Sequence, residues 1–178
     1  IKQIILATGY KSHLVKKFMT KYFPDECYKI VDSGDVSIIK RLQDITNTYQ
    51  GDFILCYGDT ISNVDIQKLI SFHKKNPDNI IMTSFPITLP FGVLTLDAKK
   101  TVSSFREKPV LKEVMNIGYY YVPSIFIKSI HKHKNFVKFI ESIIKKKALK
   151  CYEHNKFHIT INTLSELENA RENIKKMI

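Results

Sequence analysis

Apolar residues recur along this chain in two rhythms, and their alternation organises the sequence. Short, largely apolar runs at residues 3–8, 27–31, 52–57 and 80–85 have the length of buried strands, since a short apolar run suits a strand better than a helix. Between them the spacing changes to three and four. Leu14, Val15, Phe18 and Tyr22 mark a helix over 11–22, and Ile38, Ile39, Leu42 and Ile45 one over 36–49. Ile66, Leu69, Ile70 and His73 form the inner face of a helix over 64–75, with Ser62 or Asn63 as its expected cap. Strand and helix in turn predict a parallel sheet with right-handed crossovers.

Beyond Pro86 the rhythm breaks. Residues 93–96 and 101–105, separated by Asp97-Ala98-Lys99-Lys100, predict a hairpin. A strand over 115–122, a short helix over 123–130 and a longer one over 135–147 follow. Phe136, Phe139, Ile140, Ile143 and Ile144 are expected inward on the longer helix. Two short strands at 149–152 and 157–161 precede a last helix, which Thr163 caps with Glu166 three residues on as a capping box.

The run at 52–57 is the most informative. Five apolar or aromatic residues, expected to be buried on both faces, stop at Gly58-Asp59-Thr60. A carboxylate there stands at the carboxyl edge of a sheet, where open α/β folds bind ligands and where Mg²⁺ can be held with substrate phosphates. Gly-Asp is equally a turn. Two further polar groups end strands: Arg106-Glu107-Lys108-Pro109, whose lysine suits a phosphate and whose glutamate suits hydroxyl or amine groups, and Asn162-Thr163 before the last helix.

Composition narrows this picture rather than changing it. The chain has 178 residues, 44% hydrophobic and 25% charged, the profile of a globular protein. Its net charge of +11 comes from lysines scattered along the whole length, so a nucleic-acid surface is not expected. No apolar run approaches the roughly 18 residues of a membrane span, and no membrane association or secretory leader is expected. Cys27, Cys56 and Cys151 are far apart, which fits a reducing cytoplasm. His131 and His133 share no helix face, and His154 and His158 precede or enter a strand, so the histidines form no metal set. No serine or cysteine has a recognisable activating base. Acyl transfer and redox chemistry fall behind phosphate and nucleotide chemistry.

Taken in order, several motifs resemble the sugar-phosphate nucleotidyltransferases, most nearly the glucose-1-phosphate cytidylyltransferases. They are Ile5-Leu6-Ala7-Thr8-Gly9-Tyr10-Lys11, Asp32-Ser33-Gly34, Tyr57-Gly58-Asp59, Val64-Asp65-Ile66 with Phe72-His73, and Phe91-Gly92-Val93-Leu94. Ser104-Phe105-Arg106-Glu107-Lys108-Pro109, Asn116-Ile117-Gly118-Tyr119 and Tyr152-Glu153-His154 complete the series. The resemblance implies an α/β, Rossmann-like three-layer αβα fold with a mixed, mainly parallel sheet. It implies Mg²⁺ on Asp59 and Asn162, and a nucleotide, CTP, against Tyr57, Gly58 and Asp59. A phosphorylated acceptor would lie against Glu107, Lys108, Asn116 and Gly118, with Asp59 and Lys108 as the catalytic pair. A homo-oligomer is also possible in such a family.

Three departures accompany the resemblance. The family's Gly-rich N-terminal signature is absent, so one domain over 1–178 is expected, lacking its first strand and phosphate-binding loop. Ser37-Ile38-Ile39-Lys40 stands where Thr-Gly-Gly is expected, and Asn162-Thr163 where Asp-Thr is. These leave room for a UTP or dTTP enzyme, for a non-catalytic relative, and for a non-sugar acceptor such as phosphoglutamine or phosphocholine.

Overall fold

A computed structural model describes residues 3–174. The chain divides into two compact units, Ile1–Phe53 with Pro123–Ala148, and Ile54–Val122 with Leu149–Ile178.

In the first unit β1 (Ile4–Thr8) and β2 (Tyr28–Asp32) pair in parallel, Ile4 opposite Tyr28 and Thr8 opposite Asp32. The connection between them contains α1 (Ser12–Tyr22). The helix forms where its spacing predicts, yet it buries no residue: Leu14, Phe18 and Tyr22 are each more than half exposed. By contrast α2 (Ile38–Thr46) buries Ile39, Leu42 and Thr46, one stripe at helical spacing. It holds α4 (Ile127–His131) through polar contacts as well. Gln43 Nε2 donates to the carbonyls of Ile130 (3.1 Å) and His133 (2.8 Å) at the end of that helix. In α5 (Phe136–Lys145), capped by Asn135, Phe139 and Ile143 are buried. Ile144 is 55% exposed, against expectation, because it lies one step round the helix from that stripe.

The second unit is built on a four-stranded sheet in the order β3 (Phe53–Cys56), β8 (Val110–Val122), β5 (Ile80–Thr88), β9 (Leu149–Glu153). β5 runs parallel to β9 and antiparallel to β8. The sheet is therefore mixed. β8 reverses direction because the chain returns to it through a hairpin, β6 (Val93–Leu96) and β7 (Val102–Arg106), rather than through a helical crossover. β3 lies at the sheet's edge and is only half-buried, not covered on both faces as its composition suggests. α3 (Ile66–Lys74) packs against β5 and β8. It buries Leu69 and His73, and the His73 ring stacks on Tyr121 at 4.0 Å. Its cap is Asp65, whose side chain accepts from the Lys68 N–H (3.0 Å). Ser62 and Asn63 instead bond the Phe157 backbone, because Ser62 ends and Asn63 directly follows a strand of a second short ladder, β4 (Thr60–Ser62) with β10 (His158–Thr160). The last helix, α6 (Leu164–Asn173), carries the expected capping box at Thr163 and Glu166.

Candidate functional site

Gly58 and Asp59 form the turn that leads from β3 into β4. The ladder that follows determines what stands beside them. Thr60 is opposite Thr160, and the Ile161 N–H continues the pairing by donating to the Asp59 carbonyl at 2.8 Å. Asn162, distant in sequence, thus directly follows the residue bonded to Asp59. The Asp59 side chain is exposed and makes no hydrogen bond or ion pair among the described residues. Asn162 is held from the other side, where its N–H donates to Glu166 Oε2 at 2.7 Å and the Thr163 N–H to the same oxygen at 2.9 Å. These two N–H groups, Asn162 first, hold the Glu166 carboxyl below the usual carboxylate range. The capping box was legible in sequence; that it also anchors Asn162 was not.

An exposed carboxylate, with Asn162 one residue beyond the backbone bond to Asp59, suits Mg²⁺, which takes one or two protein oxygens and completes its shell with water and substrate phosphate. It does not suit a metal that needs a protein cage. Among the described residues, no group of three or more His, Cys, Asp or Glu could form one.

On the sheet itself, Tyr57, Asn116 and Gly118 come together. The Tyr57 N–H donates to the Gly118 carbonyl at 3.0 Å. Gly118 has φ +76°, and a Cβ there would stand 2.5 Å from Tyr57 Cγ, so the tyrosine ring occupies the space that glycine leaves. Asn116 Oδ1 accepts from the Gly118 N–H (3.0 Å) and Asn116 Nδ2 donates to Tyr120 Oη (2.6 Å). Tyr120 Oη lies 3.4 Å from Tyr57 Oη. Tyr120 is buried, and desolvation, followed by the bond to Tyr57, keeps its hydroxyl protonated far above the ordinary range. Sequence reasoning passed over Tyr120 as one of three adjacent tyrosines.

Glu107 and Lys108 lie in the loop between β7 and β8, exposed, with no hydrogen bond or ion pair among the described residues. Lys108 is left-handed (φ +41°). The loop is tied down next to it, where the Leu89 N–H donates to the Pro109 carbonyl at 3.1 Å. Gly92 lies against it too: a Cβ there would meet the Phe105 ring at 2.6 Å and Glu107 Oε2 at 3.0 Å. No hydrogen bond joins this pair to Asp59 or Asn116 among the described residues.

The first unit contains a further polar group at the carboxyl ends of β1 and β2. Asp32 accepts from Ser12 Oγ and from the Gly34 N–H (3.0 Å). These bonds, Ser12 first, hold its carboxyl below the usual range. Gly9 approaches this edge so closely that a Cβ would collide with the Gly34 carbonyl and lie 2.6 Å from Arg41 Nη2. Arg41 Nε and Thr8 Oγ1 are both buried without a hydrogen-bond partner. Such orphaned donors at the carboxyl edge of a parallel pair suit an anionic or carbonyl oxygen. Arg41 carried no sequence signal, because an arginine at the start of an amphipathic helix reads as a solvated side chain.

The family profile described as Nucleotidyl transferase matches residues 3–166. Glucose-1-phosphate cytidylyltransferase of Salmonella typhi is 30% identical over 155 residues, covering 70% of this chain and 59% of that protein. Glucose-1-phosphate adenylyltransferase of Mycoplasma mobile is 27% identical over 161 residues, covering 81% of this chain and 42% of that protein. The chain thus spans little more than half the length of the Salmonella relative it matches. Among solved structures, HddC from Yersinia pseudotuberculosis superposes with a TM-score of 0.71 at 19% identity, over 98% of this chain and 79% of that one. At that identity the likeness shows the α/β fold and nothing finer.

Proposed function

We propose, for a chain that belongs to the nucleotidyl transferase family over residues 3–166, that it carries the core of an enzyme transferring CMP from CTP to a phosphorylated acceptor. In this reaction a phosphate oxygen of the acceptor attacks the α-phosphorus of the nucleotide. The bond from that phosphorus to the bridging oxygen breaks, and pyrophosphate leaves with the electron pair. No protein nucleophile takes part, in keeping with the absence of an activated serine or cysteine motif in the sequence.

The observation that carries this reading is the Ile161–Asp59 backbone bond, which brings the residue before Asn162 against Asp59, whose exposed carboxylate makes no hydrogen bond or ion pair among the described residues. Asp59 and Asn162 would hold Mg²⁺, which supplies charge neutralisation at the transferring phosphate. Tyr57 and Gly58 would line the nucleotide. Glu107 and Lys108 would hold the acceptor's phosphate end, with Asn116 and Gly118 along its body. Catalysis would rest on positioning and on preorganised charge.

The cytidylyl assignment is supported by the Salmonella relative, and the adenylyl relative favours ATP as the rival nucleotide. A product serving as a precursor of surface polysaccharide, a cytoplasmic location and a homo-oligomeric assembly belong to the same proposal. Pyrophosphate release by the full-length protein with CTP, UTP, dTTP and ATP, against a panel of phosphorylated sugars, phosphoglutamine and phosphocholine, tests it. Turnover with CTP and at least one acceptor is the expected result. Turnover only with another nucleotide would overturn the cytidylyl assignment, and none at all would overturn the enzymatic one.

A further inference from the structure

We infer that Tyr120 is a positioning residue whose hydroxyl, together with the Gly118 N–H, holds Asn116 in the orientation that turns an N–H toward the acceptor compound. The inference rests on the reading of Asn116 as part of the acceptor pocket.

A phenylalanine would fill the same buried space, since Tyr120 is 2% exposed. A buried hydroxyl is retained at a cost unless it is bonded. Here it receives the Asn116 Nδ2–H at 2.6 Å and lies 3.4 Å from Tyr57 Oη. Asn116 Oδ1 is meanwhile turned onto the Gly118 N–H at 3.0 Å. Flipping the amide would set its NH₂ against that N–H, donor against donor, so the Gly118 N–H turns Nδ2 toward Tyr120, whose hydroxyl accepts and holds it. The two contacts together therefore define one orientation. Asn116 is otherwise exposed, and its second Nδ2–H has no partner among the described residues. The atom offered outward is a donor. A hydroxyl, carbonyl or phosphate oxygen on the acceptor compound satisfies it, and an ammonium does not. The bonds run in series from the Gly118 N–H through Asn116 and Tyr120 to Tyr57, so the amide on the acceptor side and the ring on the nucleotide side share one support.

Two measurements on isotope-labelled full-length protein test this. The Asn116 side-chain amide, identified by its loss in Asn116→Ser, should show one proton protected from exchange. Tyr120→Phe, which keeps the ring, should raise that exchange at least about tenfold, on the order of the loss of one buried hydrogen bond. In steady-state kinetics, with whichever acceptor of the panel supports turnover, Tyr120→Phe should raise the acceptor KM about five- to tenfold while leaving the nucleotide KM within about twofold. Asn116→Asp, which replaces the offered N–H by oxygen, should raise it further. Unchanged amide exchange in Tyr120→Phe overturns the positioning role, as does an equal rise in both KM values. If no acceptor supports turnover in the unsubstituted protein, the nucleotidyl-transfer reading fails, while amide exchange still decides whether Tyr120 locks Asn116.

Discussion

Asn116 and Tyr120 are hydrogen-bonded at 2.6 Å, although four residues of a regular strand would set them about 13 Å apart. They meet because β8 is not regular between them. Met82 of β5 is opposite Tyr120 and Ser84 is opposite Asn116, so three residues of β8 stand against Thr83 alone. The left-handed Gly118 lies within this bulge. Bulges of this kind re-aim side chains and gather beside functional sites. Here the bulge brings an amide, a buried hydroxyl and the Tyr57 ring into one bonded group.

Gly118→Ala should be costly on two counts, the left-handed backbone and the 2.5 Å approach to Tyr57 Cγ. Together these should lower stability by about 2 kcal/mol or more. Urea denaturation measures it, and a loss under about 0.5 kcal/mol would mean that the Tyr57 ring moves aside freely.

Asp59→Ala should leave stability within about 0.5 kcal/mol, since an exposed carboxylate without a partner among the described residues holds nothing together. It should abolish Mg²⁺-dependent pyrophosphate release in the full-length protein. Retained activity would remove Asp59 from the metal role.

Lys108→Ala should act on the acceptor rather than on the nucleotide. The lysine makes no ion pair among the described residues, so its charge is available to a bound phosphate. Its removal should cost about 2–4 kcal/mol of transition-state stabilisation, read from kcat/KM for the acceptor. Unchanged kinetic constants would free Lys108 of that assignment.

His158 should make stability depend on pH. Burial, and secondarily the neighbouring His154, depress its pKa below the ordinary 6.5. Between the depressed folded value and 6.5 the unfolded chain therefore binds more protons than the folded one, so stability rises with pH across that window. The contribution is complete above pH 6.5 and is lost as pH falls toward the folded value. Thermal unfolding from pH 7.5 to pH 5 should show this decline, and His158→Gln should flatten it. An equally steep profile in that variant would assign the pH dependence to other groups.

The elements were legible where their cause is local. α2 and α5 follow from apolar residues three and four apart, and the capping box at Thr163 and Glu166 from two side chains three residues apart. The α3 cap was placed too early, at Ser62 or Asn63, because polar residues compete for that role in sequence. Only the β4–β10 pairing removes the first two and leaves Asp65. The edge position of β3 was illegible for a related reason: an apolar run reports that a strand is sheltered, not how many neighbours shelter it.

The sequence by itself determined the alternation of strands and helices, the hairpin after Pro86, and Asp59, Lys108 and Asn162 as residues of interest. These are patterns read over a few positions. The tertiary structure alone decided that β8 runs antiparallel to β5, that the segment leading into Asn162 pairs with Asp59, that Arg41, its buried Nε unpartnered, reaches Gly9, and that Tyr120 reaches Asn116. Each depends on pairing register between distant segments, or on a bulge that shortens a strand. Periodicity along the chain carries no information about either. Asp59 therefore had its position at a strand's end from the sequence, and its companion Asn162 only from the ladder that brings the last strand beside it.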